Sequence, residues 1–431
     1  MDGERRSTGR TLFLLRRGDG LGLTGTFSAL RIRNYRLYWA GQSISLTGTW
    51  MQNTAQGWLV TSLTSSPVAL GTAVMLQFLP IGLLSLPAGV LVDRLPKKRL
   101  LMALQAVAMA QATAIGVLVA TDAVRLWHVY LLAFVLGTVN AFSNPTRQAL
   151  IPELVPSEKV PNAVALYSAV FNLARVLGPA VAGLAIATIG LESAFLLNAA
   201  SFVPVLAGLL LIRDREMHSP PRRASAPMVA ELWEGVVYAF RTPAVFQVVI
   251  LMAFIGTFGY NYRTMLPLLA RQVLHVGSQE FGLMDTAVGL GAIAAALVVA
   301  YRQRASEGQM LLGAAAFSAM LALLGLSQWY GVSLLILAGM GLAGITFTTS
   351  ANARLQLLSP PEMRGRIMSL YTLLFAGTTP IGSMTLGLVA DTVGVQGAVL
   401  SFAALCALGV ALALLYRLGR RAAAAAMGDA P

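Results

Sequence analysis

Residues 37–92 contain no Asp, Glu, Lys or Arg, and neither do residues 100–121, yet the seven positions from 93 to 99 hold five charges: Asp93, Arg94, Lys97, Lys98 and Arg99. A helix needs about 20 mostly apolar residues to cross a bilayer. The chain offers twelve such runs, at approximately 37–62, 68–92, 100–121, 126–146, 164–188, 193–212, 243–268, 281–301, 309–328, 331–353, 367–390 and 394–416. They are uninterrupted rather than alternating, which excludes the strands of a membrane barrel. Only 11% of the 431 residues are charged and 56% are hydrophobic. A single soluble core stops growing near about 250–300 residues, so lipid is the solvent that this much apolar surface requires. The expected fold class is an all-α polytopic membrane protein with twelve transmembrane helices.

The charges at the span ends set the orientation. With the N-terminus in the cytoplasm, 27 of the 31 Lys and Arg fall in cytoplasmic segments, Arg125 and Arg271 fall in outer loops, and Arg175 and Arg263 lie within spans. This is a strong positive-inside bias and places both termini in the cytoplasm. The net charge of +13 is therefore a topology signal, and no nucleic-acid partner is expected. No cleavable leader is expected either, because the first 36 residues hold eight arginines and no short apolar region with a small-residue cleavage site. Cys406 is the sole cysteine, and His128, His218 and His275 are far apart in sequence, so neither a disulfide framework nor a metal site is expected.

A shift of 204 residues brings Leu154, Pro156, Glu158, Leu166, Tyr167, Phe171, Gly178, Gly183, Leu184, Thr188 and Gly190 onto identical residues, from Leu358 to Gly394. Span 5 then corresponds to span 11, and the chain reads as two six-helix halves in the same orientation, related by an axis along the membrane normal. Substrate sites in that architecture lie between the halves near mid-membrane. The organisation is a basic N-terminal segment (1–36), a first half (37–212), a linker (213–242), a second half (243–417) and a short tail (418–431). Within the linker, Leu232, Trp233, Val236, Val237 and Phe240 recur at helical spacing with Glu231 and Glu234 opposite. That pattern fits a helix lying in the membrane interface, or the frayed start of span 7.

Gly89-x-Leu91-x-Asp93-Arg94-x-x-Lys97-Lys98 resembles the loop motif between spans 2 and 3 of the major facilitator superfamily, with Pro96 where a glycine is usual. Ala174-x-x-x-Gly178-Pro179-x-x-x-Gly183 is similar to the span 5 motif of that superfamily's efflux branch, with Ala174 and Ala182 replacing glycines. Residues 144–183 look like the exporter branch that includes enterobactin exporters and macrolide efflux proteins. The resemblance covers roughly residues 27–417 and implies secondary transport of a small molecule across the cytoplasmic membrane, with protons as the coupling ion and a monomer in the bilayer. The chain departs from many proton-coupled relatives before Gly137, where "LLAFVL" carries no arginine.

The candidate residues follow. A carboxylate at Asp93 can accept hydrogen bonds at a neighbouring helix N-terminus, and the resemblance implies pairing with Arg147, a latch holding the halves in the outward-facing state; Arg94, Lys97, Lys98 and Arg99 read either as parts of it or as topology signals alone. Gly178 and Gly183 allow close helix approach and Pro179 can bend the span, which suits a hinge or seal as well as ordinary packing. Arg175, buried in span 5, is costly unless paired or hydrated and is a functional candidate by default. Arg263 and Asp285 are expected near the outer face, where they either pair or leave Arg263 to snorkel outward. Asp285 is the candidate proton carrier. Asn53, Gln56, Gln77 and Asn140 line the cavity or bond between helices, and Trp50, Trp58, Phe78, Phe254 and Tyr260 supply an apolar lining. "GLGLTG" at 20–25 has no strand before it and is no nucleotide site. No G-x-x-x-x-G-K-[ST] occurs and no nucleophile–base pair is evident, so energy comes from a gradient or a partner, no cofactor is expected, and the chain is not expected to be an enzyme. Export of bulky, partly apolar molecules is the leading expectation; an importer of the same fold and a non-transporting receptor or scaffold are the alternatives.

Overall fold

The computed structural model describes residues 23–218, 228–302 and 306–426. Span 1 is Arg33–Leu63, span 2 Pro67–Arg94, span 3 Lys97–Ala120, span 4 Leu126–Leu154, span 5 Val160–Thr188 and span 6 Leu191–Leu210. After the linker come span 7 (Pro243–Val273), span 8 (Ser278–Arg302), span 9 (Glu307–Leu326) and span 10 (Tyr330–Leu358). Spans 11 and 12 share the stretch Pro361–Arg420 and part at Gly394, whose φ of 78° and ψ of 166° break the helix. Ten stretches are long and apolar enough to cross a membrane. Pro361–Arg420 holds two helices, and span 1, made more polar by Gln42, Gln52, Asn53 and Gln56, completes the twelve. Leucines such as Leu83, Leu210, Leu297, Leu335 and Leu415 point outward from the bundle, and lipid covers what water would not.

The internal repeat is built into the packing. A Cβ on Gly178 would lie 2.5 Å from Trp50 Cβ and 3.0 Å from the Met51 nitrogen, so span 5 presses on span 1. The counterpart of Gly178, Gly382, presses span 11 on Thr257 and Asn261 of span 7. A Cβ on Gly183 would lie 2.7 Å from the Ser278 carbonyl of span 8, and one on Gly387 would lie 2.8 Å from the Pro67 carbonyl of span 2. Each span of the pair thus uses one glycine within its own half and the next against the other half. Gly190 and Gly394 end the two spans with positive φ, 120° and 78°, a conformation glycine adopts without steric cost. Two six-helix halves meet along spans 5 and 8 and along spans 2 and 11.

Contacts between the halves are uneven. Hydrogen bonds run from Thr54 to Asp285, Thr72 to Met384, Gln272 to the Ser65 carbonyl, Ser278 to the Gly183 carbonyl and Thr286 to the Val176 carbonyl. All lie between mid-bundle and the arginine-poor end. At the arginine-rich end, no hydrogen bond or ion pair among the described residues crosses between halves. The ion pairs there stay within one half and its flanking segment: Lys97 with Glu153 at 3.4 Å, Lys98 with Asp214 at 2.7 Å, and Glu307 with Arg354 and Arg417 at 3.8 and 2.9 Å.

The linker segment Met228–Arg241 is a helix of its own, separated from span 7 by Thr242 in an extended conformation. It docks on the start of span 11, where Glu234 pairs with Arg366 and a Cβ on Gly235 would meet the Arg366 carbonyl at 3.1 Å. Trp233 and Phe240 remain exposed. The side chains of Glu231 and Leu232 lie outside the described residues.

Candidate functional site: a cavity at the seam of the two halves

Span 7 runs as a helix to Phe254, widens into a π turn over Ile255–Gly259, leaves helical geometry at Tyr260 and Asn261, and resumes at Tyr262. Such widened turns sit frequently at functional sites. Span 11 carries a matching π turn at Leu373–Gly377, and Gly256 packs on the Leu374 carbonyl. The Thr257 carbonyl, left without its helical partner, accepts a 2.7 Å hydrogen bond from Asn261 Nδ2, and Ser383 Oγ donates to Asn261 Oδ1 at 3.2 Å. These bonds hold the break open and turn Tyr260, Tyr262 and Arg263 inward.

They face a cavity of about 280 Å³ between the halves. Trp50, Asn53 and Thr54 enter from span 1, Val74 and Phe78 from span 2, and Arg175 from span 5. The second half supplies Phe281 and Asp285 from span 8, Thr348 from span 10, and Phe375 and Ser383 from span 11. Aromatic faces form the walls, and two guanidinium groups and one carboxylate share the interior: Arg175, Arg263 and Asp285. Arg263 is not at the outer interface, which corrects the snorkelling alternative. The break in span 7 points its guanidinium into the cavity, 5.5 Å from the centre of the Trp50 ring and 5.2 Å from that of Phe78. Asp285 sits seven residues from the start of span 8, about 10 Å along the helix at 1.5 Å per residue. Thr54 Oγ1 donates to Asp285 Oδ2 at 3.1 Å across the halves. Among the described residues, Asp285 is in no ion pair with Arg263.

The remaining candidates divide by position. Asn53 lines the cavity and is held by Gln77 Nε2 at 3.0 Å, with Gln56 behind Gln77 at 3.5 Å. Gln56 and Gln77 are therefore buried supports outside the lining, and Asn140 is half-buried away from it. Gly178 serves packing within the first half, while Gly183, with Pro179, meets span 8 at the seam. At the arginine-rich end Gly89 is half-buried, Asp93 and Arg94 are exposed, and Arg147 is buried. Asp93 and Arg147, both of the first half, are in no ion pair among the described residues. Lys97 and Lys98 bind Glu153 and Asp214, and Lys98 also caps the Ile212 carbonyl at 2.8 Å.

Sequence reasoning missed the seal at the arginine-poor end. Trp58 is buried and stacks on Phe281 of the other half, centroids 5.5 Å apart, with the Arg271 guanidinium 4.6 Å from the Trp58 ring. Trp58 is thus part of a plug above the cavity rather than of its lining, and Phe254 packs on Gly409 of span 12. Thr54 carried no signal, but "YNYR" at 260–263, a polar run inside an apolar span, marked the break in span 7.

Comparison with known proteins agrees with this architecture. The Staphyloferrin A transporter of Staphylococcus aureus is 26% identical over 84% of this chain and 90% of its own length. Macrolide efflux protein A of Streptococcus pyogenes is 24% identical over 83% and 89%. A bacterial homolog of the human lysosomal transporter Spinster, solved in an inward-facing and occupied conformation, superposes with a TM-score of 0.70 at 13% identity, covering 92% of this chain and 98% of that one; at that identity it shows the fold alone. A family profile described as a transmembrane secretion effector matches residues 24–430. The chain belongs to that transmembrane secretion effector family, within the major facilitator superfamily of membrane transporters.

Proposed function

We propose that the protein exports bulky, partly apolar small molecules from the cytoplasm by alternating access, the two halves rocking about the central cavity. The observation that carries this reading is the cavity itself: it lies on the seam between repeats, is aromatic and charged inside, and is sealed at the arginine-poor end by Trp58 and Phe281. In this reading the Lys and Arg distribution puts the arginine-rich end and both termini in the cytoplasm, and the sealed end faces out, the inward-facing arrangement that loads from inside. The efflux and siderophore relatives favour outward movement. The test is uptake of a fluorescent macrolide and of an iron-free siderophore into inverted vesicles energised by an imposed pH gradient. Accumulation above control vesicles supports export; accumulation in right-side-out vesicles alone establishes the importer alternative.

Two parts of the cycle follow from residues already placed. Asp285 is the proton carrier in this reading, because it is the carboxylate inside the cavity and it bonds across the halves. Asp93 latches the opposite state: when the arginine-rich ends close, its carboxylate reaches a helix N-terminus of the other half, and Arg147, of its own half, completes the cluster. Such an interaction is worth up to about 2 kcal/mol, so Asp93→Asn is expected to lower transport by about tenfold while the protein inserts normally. An unchanged turnover at equal membrane abundance removes the latch.

A further inference from the structure

Arg175 and Arg263 enter the cavity from opposite halves, on spans 5 and 7. Among the described residues neither guanidinium is in an ion pair. The carboxylate in the lining, Asp285, accepts its hydrogen bond from Thr54. Two cations against one anion leave the lining with a net charge of +1. Cationic groups inside a membrane bundle are costly unless paired or hydrated, and they mark substrate pathways. Arg263 is held between the Trp50 and Phe78 rings, which fixes the direction of its donor fork before any ligand arrives. A guanidinium fork matches the two oxygens of a carboxylate. Around it, Trp50, Phe78 and Phe281 offer flat apolar faces.

Resting on the export reading, we propose that the cavity takes an organic carboxylate with an apolar body, its carboxylate held between Arg175 and Arg263 and its body against Trp50, Phe78 and Phe281. Because the two arginines belong to different halves, the bound oxyanion also bridges them. Loading therefore ties the halves together through the ligand, which supplies the differential affinity that a switch between states needs. Asp285 sets the opposing sign: its negative charge repels the ligand, and its neutralisation strengthens binding.

The test uses the full chain in lipid nanodiscs and three probes of one shape: 2-naphthylacetate, 2-naphthylethanol and 2-naphthylethyltrimethylammonium. Binding is read by quenching of Trp fluorescence, with empty nanodiscs as the blank. Two charge-assisted contacts predict that the anion binds at least about tenfold more tightly than the alcohol, and the cation more weakly than either. Arg175→Gln and Arg263→Gln should each reduce that preference at least threefold while the alcohol binds as before, which shows that the cavity is still folded. Asp285→Asn should tighten the anion. Equal binding of the three probes, no binding of the anion, or a preference that both glutamine variants keep overturns the inference. The same probes in inverted vesicles separate the two readings: an anion that binds by the arginines but is never accumulated leaves this site intact and removes export.

Discussion

Gly282→Val is expected to trap the protein open at the arginine-poor end and to cut transport by at least tenfold. Gly282 of span 8 faces Gly183 of span 5, and an added Cβ would lie 2.5 Å from the Pro179 carbonyl and 3.0 Å from Gly183 Cα. Both obstacles are backbone, so neither can rotate away. Overpacking of this kind costs about 1–3 kcal/mol. The cost falls on the state in which spans 5 and 8 touch here and is absent when this end is open, so it becomes a shift in population of about 5- to 150-fold. A reporter introduced as Thr379→Cys, at the cavity wall, reads the shift through labelling by a membrane-impermeant maleimide from the arginine-poor side; native Cys406 is buried and gives little background. Gly313→Val is the control. Its Cβ would meet the Phe347 nitrogen at 2.8 Å, but spans 9 and 10 belong to the same half. It should lower thermal stability without changing accessibility. If Gly282→Val leaves labelling and turnover at wild-type levels, the contact of spans 5 and 8 does not close the outer gate.

The contrast between those two glycines marks the limit of what the chain shows without coordinates. Apolar run length and charge placement give the twelve spans, because the bilayer imposes both on any helix that crosses it. The repeat gives the two halves, since Gly178, Gly183 and Gly190 return as Gly382, Gly387 and Gly394. Glycine in a span, however, looks the same whether it packs within a half, as Gly178 and Gly313 do, or across the seam, as Gly183 and Gly282 do. Arg263 shows the same limit. Its place near the outer face was the expectation, and its true position in the cavity depends on a π turn of five residues that no proline announces. The Trp58–Phe281 plug joins residues far apart in sequence and on different halves; only the assembled seam brings them together.

Asp285→Asn is expected to abolish accumulation driven by a pH gradient while leaving ligand exchange across the membrane in place. The carboxylate is the group in the cavity whose charge a proton can cancel, and its bond to Thr54 spans the two halves at 3.1 Å. Hydrogen bonds to a charged acceptor are worth about 1.5–3 kcal/mol, against about 0.5–1.5 for neutral ones. Proton uptake therefore loosens one tie between the halves at the arginine-poor end. It also removes the negative charge that opposes an anion beside Arg175 and Arg263. In the proton-coupled reading proton loss restores both, so protonation and ligand binding are linked through the same few side chains. Asparagine keeps the shape and holds the site permanently neutral. The variant should bind ligand at least as tightly as the wild type, exchange labelled for unlabelled ligand in inverted vesicles, and fail to concentrate it when a pH gradient is imposed, by a factor of at least about ten given the energy of the lost charged bond. Asp285→Glu, which keeps the charge with a longer reach, should recover part of the gradient response. Full gradient-driven accumulation by Asp285→Asn would move the coupling away from this carboxylate, and loss of exchange as well as accumulation would make Asp285 a structural tie between spans 1 and 8 rather than the proton's site.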